Sequence, residues 1–243
     1  MPTFVIALGL SLLGGLGGLL VASGVLLFTD SARVRIVPWL VSYAVGALLG
    51  VSLLAILPEA LESLPPTHVF ATLLLGILLF FVLEKLVLWR HCHTDDCEVH
   101  DTSATMVLIG DAFHNFVDGA VIAAAVMTSV PLGISTAIAV AAHEIPQEVG
   151  DFAILLHAGY SRQRALLVNA LSGAAGAAGA LVALVAFDLV PRVLPYFLAL
   201  AAASFLYVAM ADLIPGLHRG RTDASSFRQI ILVGAGIVTM LVL

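Results

Sequence analysis

Apolar runs of membrane-spanning length recur along this chain, and no other feature constrains its fold as tightly. A helix needs roughly 20 mostly apolar residues to cross the hydrocarbon of a bilayer. Eight runs reach or approach that length, near 4–28, 38–58, 68–89, 105–128, 132–157, 164–187, 193–215 and 227–243. Of the 243 residues 61% are hydrophobic and 11% charged, whereas soluble domains carry about a quarter charged residues. A soluble core of this size cannot hide so much apolar side chain, so lipid is the fitting solvent. The breaks between runs carry turn chemistry: Asp30-Ser31, Pro65-Pro66, Thr94-Asp95-Asp96, Pro131, Ser161-Arg162, Pro191 and Arg219-Gly220-Arg221. No basic residue precedes the first run, and it is too long for the apolar region of a signal peptide, so it reads as a retained helix. The expectation is one all-α polytopic membrane domain over 1–243 with eight transmembrane helices.

Orientation follows from the basic residues. Arg33, Arg35, Lys85, Arg90, Arg162, Arg164, Arg219, Arg221 and Arg228 fall on one side of the predicted membrane, and Arg192 alone falls on the other. Short cytoplasmic loops hold the excess of Lys and Arg, so the nine mark the cytoplasm and both termini lie outside. No basic stretch points to nucleic acid. The two cysteines, Cys92 and Cys97, share one polar segment, which is not a secreted disulfide framework.

Small residues crowd the first and sixth runs, at Gly14, Gly15, Gly17 and Gly18 and again at Gly173, Gly176 and Gly179. Spacing of this kind lets helices approach closely. It serves either a sliding or dimerising surface or tight packing within the molecule. A repeat relating the first three spans to the last three is suggested, but the similarity is too weak to establish it.

Ionisable groups within spans are expensive and mark pathways or sites. Here they concentrate in the fourth and fifth runs. The fourth places Asp111, His114, Asn115 and Asp118 within an arc of roughly 100° on one helix. The fifth places His143, Glu144, Gln147, Glu148 and Asp151 within about 140°. Such stripes cannot face lipid, so they face each other or water. Imidazole, amide oxygen and carboxylate together suit divalent transition metals. His114 and Asp118 are one turn apart, as are His143 and Gln147; Asn115 and Glu144 stand one position on and can start an adjacent site. Pro146 should kink the fifth helix and frees the carbonyl of Ala142. A purely structural hydrogen-bond network is the alternative use of the same residue types.

The segments His114-Asn115-Phe116-Val117-Asp118-Gly119 and His143-Glu144-Ile145-Pro146-Gln147-Glu148-Val149-Gly150-Asp151-Phe152 resemble signatures of the ZIP (Zrt-, Irt-like) metal transporters, most of all the LIV-1 branch. Asn169-Ala170-Leu171-Ser172 and Phe205-Leu206-Tyr207-Val208 extend the likeness. The resemblance implies eight spans with both termini outside, uptake of a divalent metal, zinc first, into the cytoplasm, and a homodimer in the plasma (inner) membrane. Iron, manganese, cobalt and cadmium are the alternative substrates, and no catalytic cofactor is expected. By position, His114, Asp118, His143 and Gln147 match one metal site, and Asn115, Asp118, Glu144 and Gln147 its neighbour; Glu148 belongs to the same candidate ligand set. The chain departs from the family pattern at Gln147, where the branch usually has histidine. It departs again at Gly50-Val51-Ser52-Leu53-Leu54-Ala55, which lacks the Asp and His of many members, and at Gly216, where a glutamate is common.

Between the third and fourth runs, a stretch at about 90–103 contains His91, Cys92, His93, Cys97 and His100. Its ligands suit zinc or copper(I), and it reads as a cytoplasmic loop that takes up or senses metal, or else as an acidic linker. His68, His157 and His218 lie at span ends and read as interfacial. Three rival functions use the same stripes. His143-Glu144-x-x-Gln147 is one residue from the His-Glu-x-x-His of metalloproteases, but the second histidine is missing and Pro146 sits inside the turn. A metal exporter and a proton relay are the others.

Overall fold

The computed structural model describes residues 2–25, 27–91, 99–218 and 224–242. Among them every regular element is helical. The α-helices are α1 (Pro2–Val25), α2 (Asp30–Val51), α3 (Leu57–Ser63), α4 (Pro66–His91), α5 (Val99–Thr128), α6 (Val130–His157), α7 (Arg162–Gly173), α8 (Ala175–Leu189), α9 (Leu194–Tyr207), α10 (Ile214–His218) and α11 (Ala224–Val242). Two joins are not loops: π-helical turns at Ser52–Ile56 and Val208–Leu213 weld α2 to α3 and α9 to α10. Only Ala174 separates α7 from α8.

Among the described residues, six helical stretches are long and apolar enough to cross a membrane: Thr3–Val25, Arg35–Ser63, Pro66–Leu83, Leu108–Thr128, Arg162–Leu189 and Pro191–Leu217. The molecule is a multi-pass membrane protein. The fifth predicted run forms α6, 28 residues long, whose apolar length is interrupted by Glu144, Glu148 and Asp151. The eighth forms α11, whose apolar stretch Ser226–Val242 is shorter. The predicted loop at 90–103 is narrower in the structure, because α4 runs to His91 and α5 starts at Val99. Cys92, His93 and Cys97 lie outside the described residues, as do Arg219 and Arg221.

Packing reveals the repeat that the sequence only suggested. α1 packs on α6 while α8 packs on α5; α2 packs on α11 while α4 packs on α9. The scheme maps onto itself when α1 exchanges with α7–α8, α2–α3 with α9–α10, α4 with α11, and α5 with α6. The π turns exchange too, and a proline follows each at the same offset, Pro58 after Ile56 and Pro215 after Leu213.

Local chemistry sets the central pair. α5 ends at Thr128 and α6 begins at Val130, leaving Ser129 alone between them. Ser129 is extended, its side chain accepts a hydrogen bond from the Leu132 backbone N–H at 3.3 Å, and a proline occupies the first turn of α6; these are N-cap signals. So short a joint forces α5 and α6 into an antiparallel hairpin, which brings their polar stripes together. Small residues then close the bundle around them. Gly119 of α5 meets the Gly176 backbone of α8, Gly15 of α1 meets the Gly173 carbonyl and Asn115, and a Cβ on Gly18 would lie 2.8 Å from the Cβ of Glu144. Of the two readings offered for the glycine stripes, packing within the molecule is the one their neighbours support.

Candidate metal centre

α5 and α6 each present one face to the other, and the polar stripes occupy those faces. Asp111, Asn115 and Asp118 on α5 and His143, Glu144 and Glu148 on α6 are all buried. His114 is partly buried. α6 runs unbroken through Pro146, so the residues on either side of it stay on one helical face.

Four of these side chains converge. The ligand atoms of His114, Asp118, His143 and Glu144 lie within 4.8 Å of one another. His114 Nε2 is 3.0 Å from His143 Nε2, 3.6 Å from Asp118 Oδ2 and 3.4 Å from Glu144 Oε1. His143 Nε2 is 3.0 Å from Asp118 Oδ2 and 3.6 Å from Glu144 Oε1. Zinc bonds of about 2.0–2.1 Å in a tetrahedron separate the ligand atoms by about 3.3 Å. The observed separations straddle that value, so the four groups already have nearly the spacing of a tetrahedral site.

Proton positions argue the same way. His143 Nδ1 lies 3.1 Å from the carbonyl oxygen of Ala139. A carbonyl only accepts, so Nδ1 carries a hydrogen and Nε2 is the ring nitrogen turned toward the carboxylates. This is the usual orientation of a metal-ligating imidazole, its other N–H held by a carbonyl. Nε2 faces Asp118, neither of whose oxygens has a hydrogen-bond partner among the described residues; both Glu144 oxygens are likewise buried without one. Buried carboxylates are costly to leave uncompensated; both histidines stand 3.0–3.6 Å from them, and a cation among the four groups would satisfy them together. Phe205 of α9 closes one side, its ring 5.9 Å from that of His143.

The other predicted ligands take different places. Asn115 Nδ2 donates to Asp111 Oδ1 at 3.0 Å and to the Asp111 carbonyl at 3.2 Å, and Gln147 Nε2 donates to the same Oδ1 at 3.3 Å. Both amides therefore turn toward Asp111. Glu148 joins Asp111 and Glu144 in a second grouping that can hold a cation, made of oxygen alone. Glu144 belongs to both groupings and links them.

Asp111 joins the candidate site although sequence reasoning left it out of the ligand set. It lies on the predicted stripe, and an amide beside His114 and another one turn from His143 need an acceptor; that need was the available signal. Where many family members have Asp and His in the second span, this chain has the π turn, with Leu53 and Leu54 exposed. Gly216 has no neighbour against it. His68 fits the interfacial reading, since it is exposed and its Nδ1 lies 3.1 Å from the Tyr196 hydroxyl.

Residues 89–243 match a family model described as ZIP zinc transporter. Among curated relatives, zinc transporter ZIP13 of Pongo abelii is 32% identical over 220 residues, which is 83% of this chain and 65% of that protein. Zinc transporter ZIP6 of Homo sapiens is 39% identical over 140 residues, covering 56% of this chain and 18% of its own length. Zinc transporter ZIP4 of Homo sapiens is 41% identical over 116 residues, 48% of this chain and 18% of the relative. The chain thus spans just under two thirds of the first of these relatives and less than a fifth of the other two.

Proposed function

The chain belongs to the ZIP zinc transporter family, and from that premise we propose that it carries a divalent metal, zinc first, through the membrane between α5 and α6. One observation carries the reading: two imidazole nitrogens and two carboxylate oxygens from facing helices stand at near-tetrahedral separations, and both carboxylates lack hydrogen-bond partners. His114, Asp118, His143 and Glu144 hold the ion first. Asn115, Gln147 and Glu148 flank it, the amides fixing Asp111 and Glu148 offering oxygen one turn farther along α6. Movement of the ion from outside to the cytoplasm rests on the resemblance alone, and the nine-to-one charge split supports an eight-span molecule with both termini outside. A homodimer is the proposed assembly, on the resemblance alone. Iron, manganese, cobalt and cadmium remain the competing substrates.

A carrier must bind well enough to select and weakly enough to release. Ligands shared between two groupings meet that demand, because Glu144 can stay on the ion while its partners change. Proteolysis fits less well. In a His-Glu-x-x-His protease the glutamate is a base outside the ligand set, whereas here Glu144 stands among the ligands and the position of the second histidine is Gln147. The test is equilibrium zinc binding and initial uptake into proteoliposomes, measured on the same purified variants. Asp118→Ala should abolish uptake, and His143→Ala should weaken binding by at least ten-fold. If both variants bind and carry zinc as the parent does, the pathway does not run between α5 and α6.

A further inference from the structure

On the side that the basic residues assign to the cytoplasm, a cavity of about 270 Å³ opens between the end of α1, the end of α6 and the start of α7. Its walls are mainly apolar, from Leu27, Phe152, Leu156 and Leu166, and one cation, Arg162, stands on it. Arg162 is exposed and has no ion pair among the described residues. Its neighbour Arg164 is engaged elsewhere, with its guanidinium 4.4 Å from the centre of the Tyr160 ring. Ser23, also on the lining, has a buried hydroxyl without a hydrogen-bond partner.

We propose that this cavity binds one anionic phospholipid of the cytoplasmic leaflet, its phosphate on Arg162 and an acyl chain against Phe152, Leu156 and Leu166. The occupant must be amphipathic. A free anion would satisfy the guanidinium, which binds phosphate in a bidentate fork, but would leave the apolar walls in contact with water. A lipid without a phosphate would cover the walls and leave the arginine unanswered, and a zwitterionic one would bring its own cation up beside the guanidinium and weaken the contact. Basic pockets between spans on the cytoplasmic side are suited to anionic headgroups for this reason. The lipid would brace the end of α6, since Phe152 lies one turn beyond Glu148 on the same helix. The proposal requires membrane residence and does not depend on which metal is carried.

The test is native mass spectrometry of the full chain with equal amounts of phosphatidylglycerol and phosphatidylcholine. The parent should retain phosphatidylglycerol several-fold more than phosphatidylcholine. Arg162→Ala should lower that retention about five-fold, the weight of one cation at an anionic surface. Leu166→Trp, which fills the groove and keeps the charge, should also lower it, and Arg164→Ala should leave it unchanged. Glycerol phosphate, which has the headgroup charge and no chains, should not displace the lipid. Equal retention of the two lipids overturns the site. So does an equal loss in Arg164→Ala and Arg162→Ala, or full retention in Leu166→Trp, or displacement by glycerol phosphate.

Discussion

Asp111 shows how far single residues could be read from the sequence. Helical periodicity put it on the polar stripe, and the family signature begins only three residues later, so position alone gave it no role. The structure gives it one: its Oδ1 accepts hydrogen bonds from Asn115 and Gln147. Such contacts orient the groups around a metal, and losing them typically costs 10–100-fold in affinity. Asp111→Ala should lower zinc affinity by about that factor while the four central ligands stay in place, as isothermal titration of the purified variant would measure. Gln147→His should act in the opposite direction. It removes one donor to Asp111, but it adds an imidazole one turn along α6 from His143, and imidazole holds zinc more tightly than a neutral amide. Higher equilibrium affinity with slower uptake is the expected pair of results, and lower affinity would show that the contact with Asp111 matters more than the added nitrogen. His114, Asp118, His143 and Glu144 all stood among the candidates that residue type and spacing mark on the stripes, but the sequence grouped Glu144 with the neighbouring site and put Gln147 in its place. The directions of the amides were not legible, because they depend on which acceptor the fold supplies.

The helices themselves were legible wherever hydropathy alone decides, and the predicted runs correspond to helical stretches in every case. The π turns were not. Ser52 to Ile56 and Val208 to Leu213 sit in runs that are apolar on nearly every side, so no periodicity existed for an extra residue to disturb. The packing partners of the glycines were equally hidden, because a small residue advertises close approach without naming what approaches. The contacts now separate the glycines by consequence. A Cβ on Gly119 would collide with the Gly176 carbonyl, whereas one on Gly110 meets nothing within 4 Å. Gly119→Val should therefore push α5 off α8 and abolish the monodisperse peak in size-exclusion chromatography. Gly110→Ala on the same helix should leave it intact. Equal behaviour of the two variants would mean that the α5–α8 approach does not hold the bundle together.

At the scale of the whole molecule, orientation rests on charge. The cytoplasmic assignment predicts that a cysteine at Ser31 or Ser161 is shielded from an impermeant thiol reagent outside intact cells, and that one at Ser63 or Arg192 is labelled. The reverse pattern would invert the molecule. The repeat was the least legible feature at this scale, since it lives in which helix touches which and barely in residue identity. Its π turns nevertheless leave a trace that bears on descent. A π turn is one residue too many for the α-helix around it, so α2–α3 and α9–α10 each carry the equivalent of a single-codon insertion. Both insertions stand at the same distance ahead of a proline, Pro58 in one half and Pro215 in the other. Removing a codon from one half alone would turn its terminal segment by about 100° and leave the two halves unmatched. The more economical history has one insertion in an ancestral three-span unit, copied when the gene for that unit was duplicated.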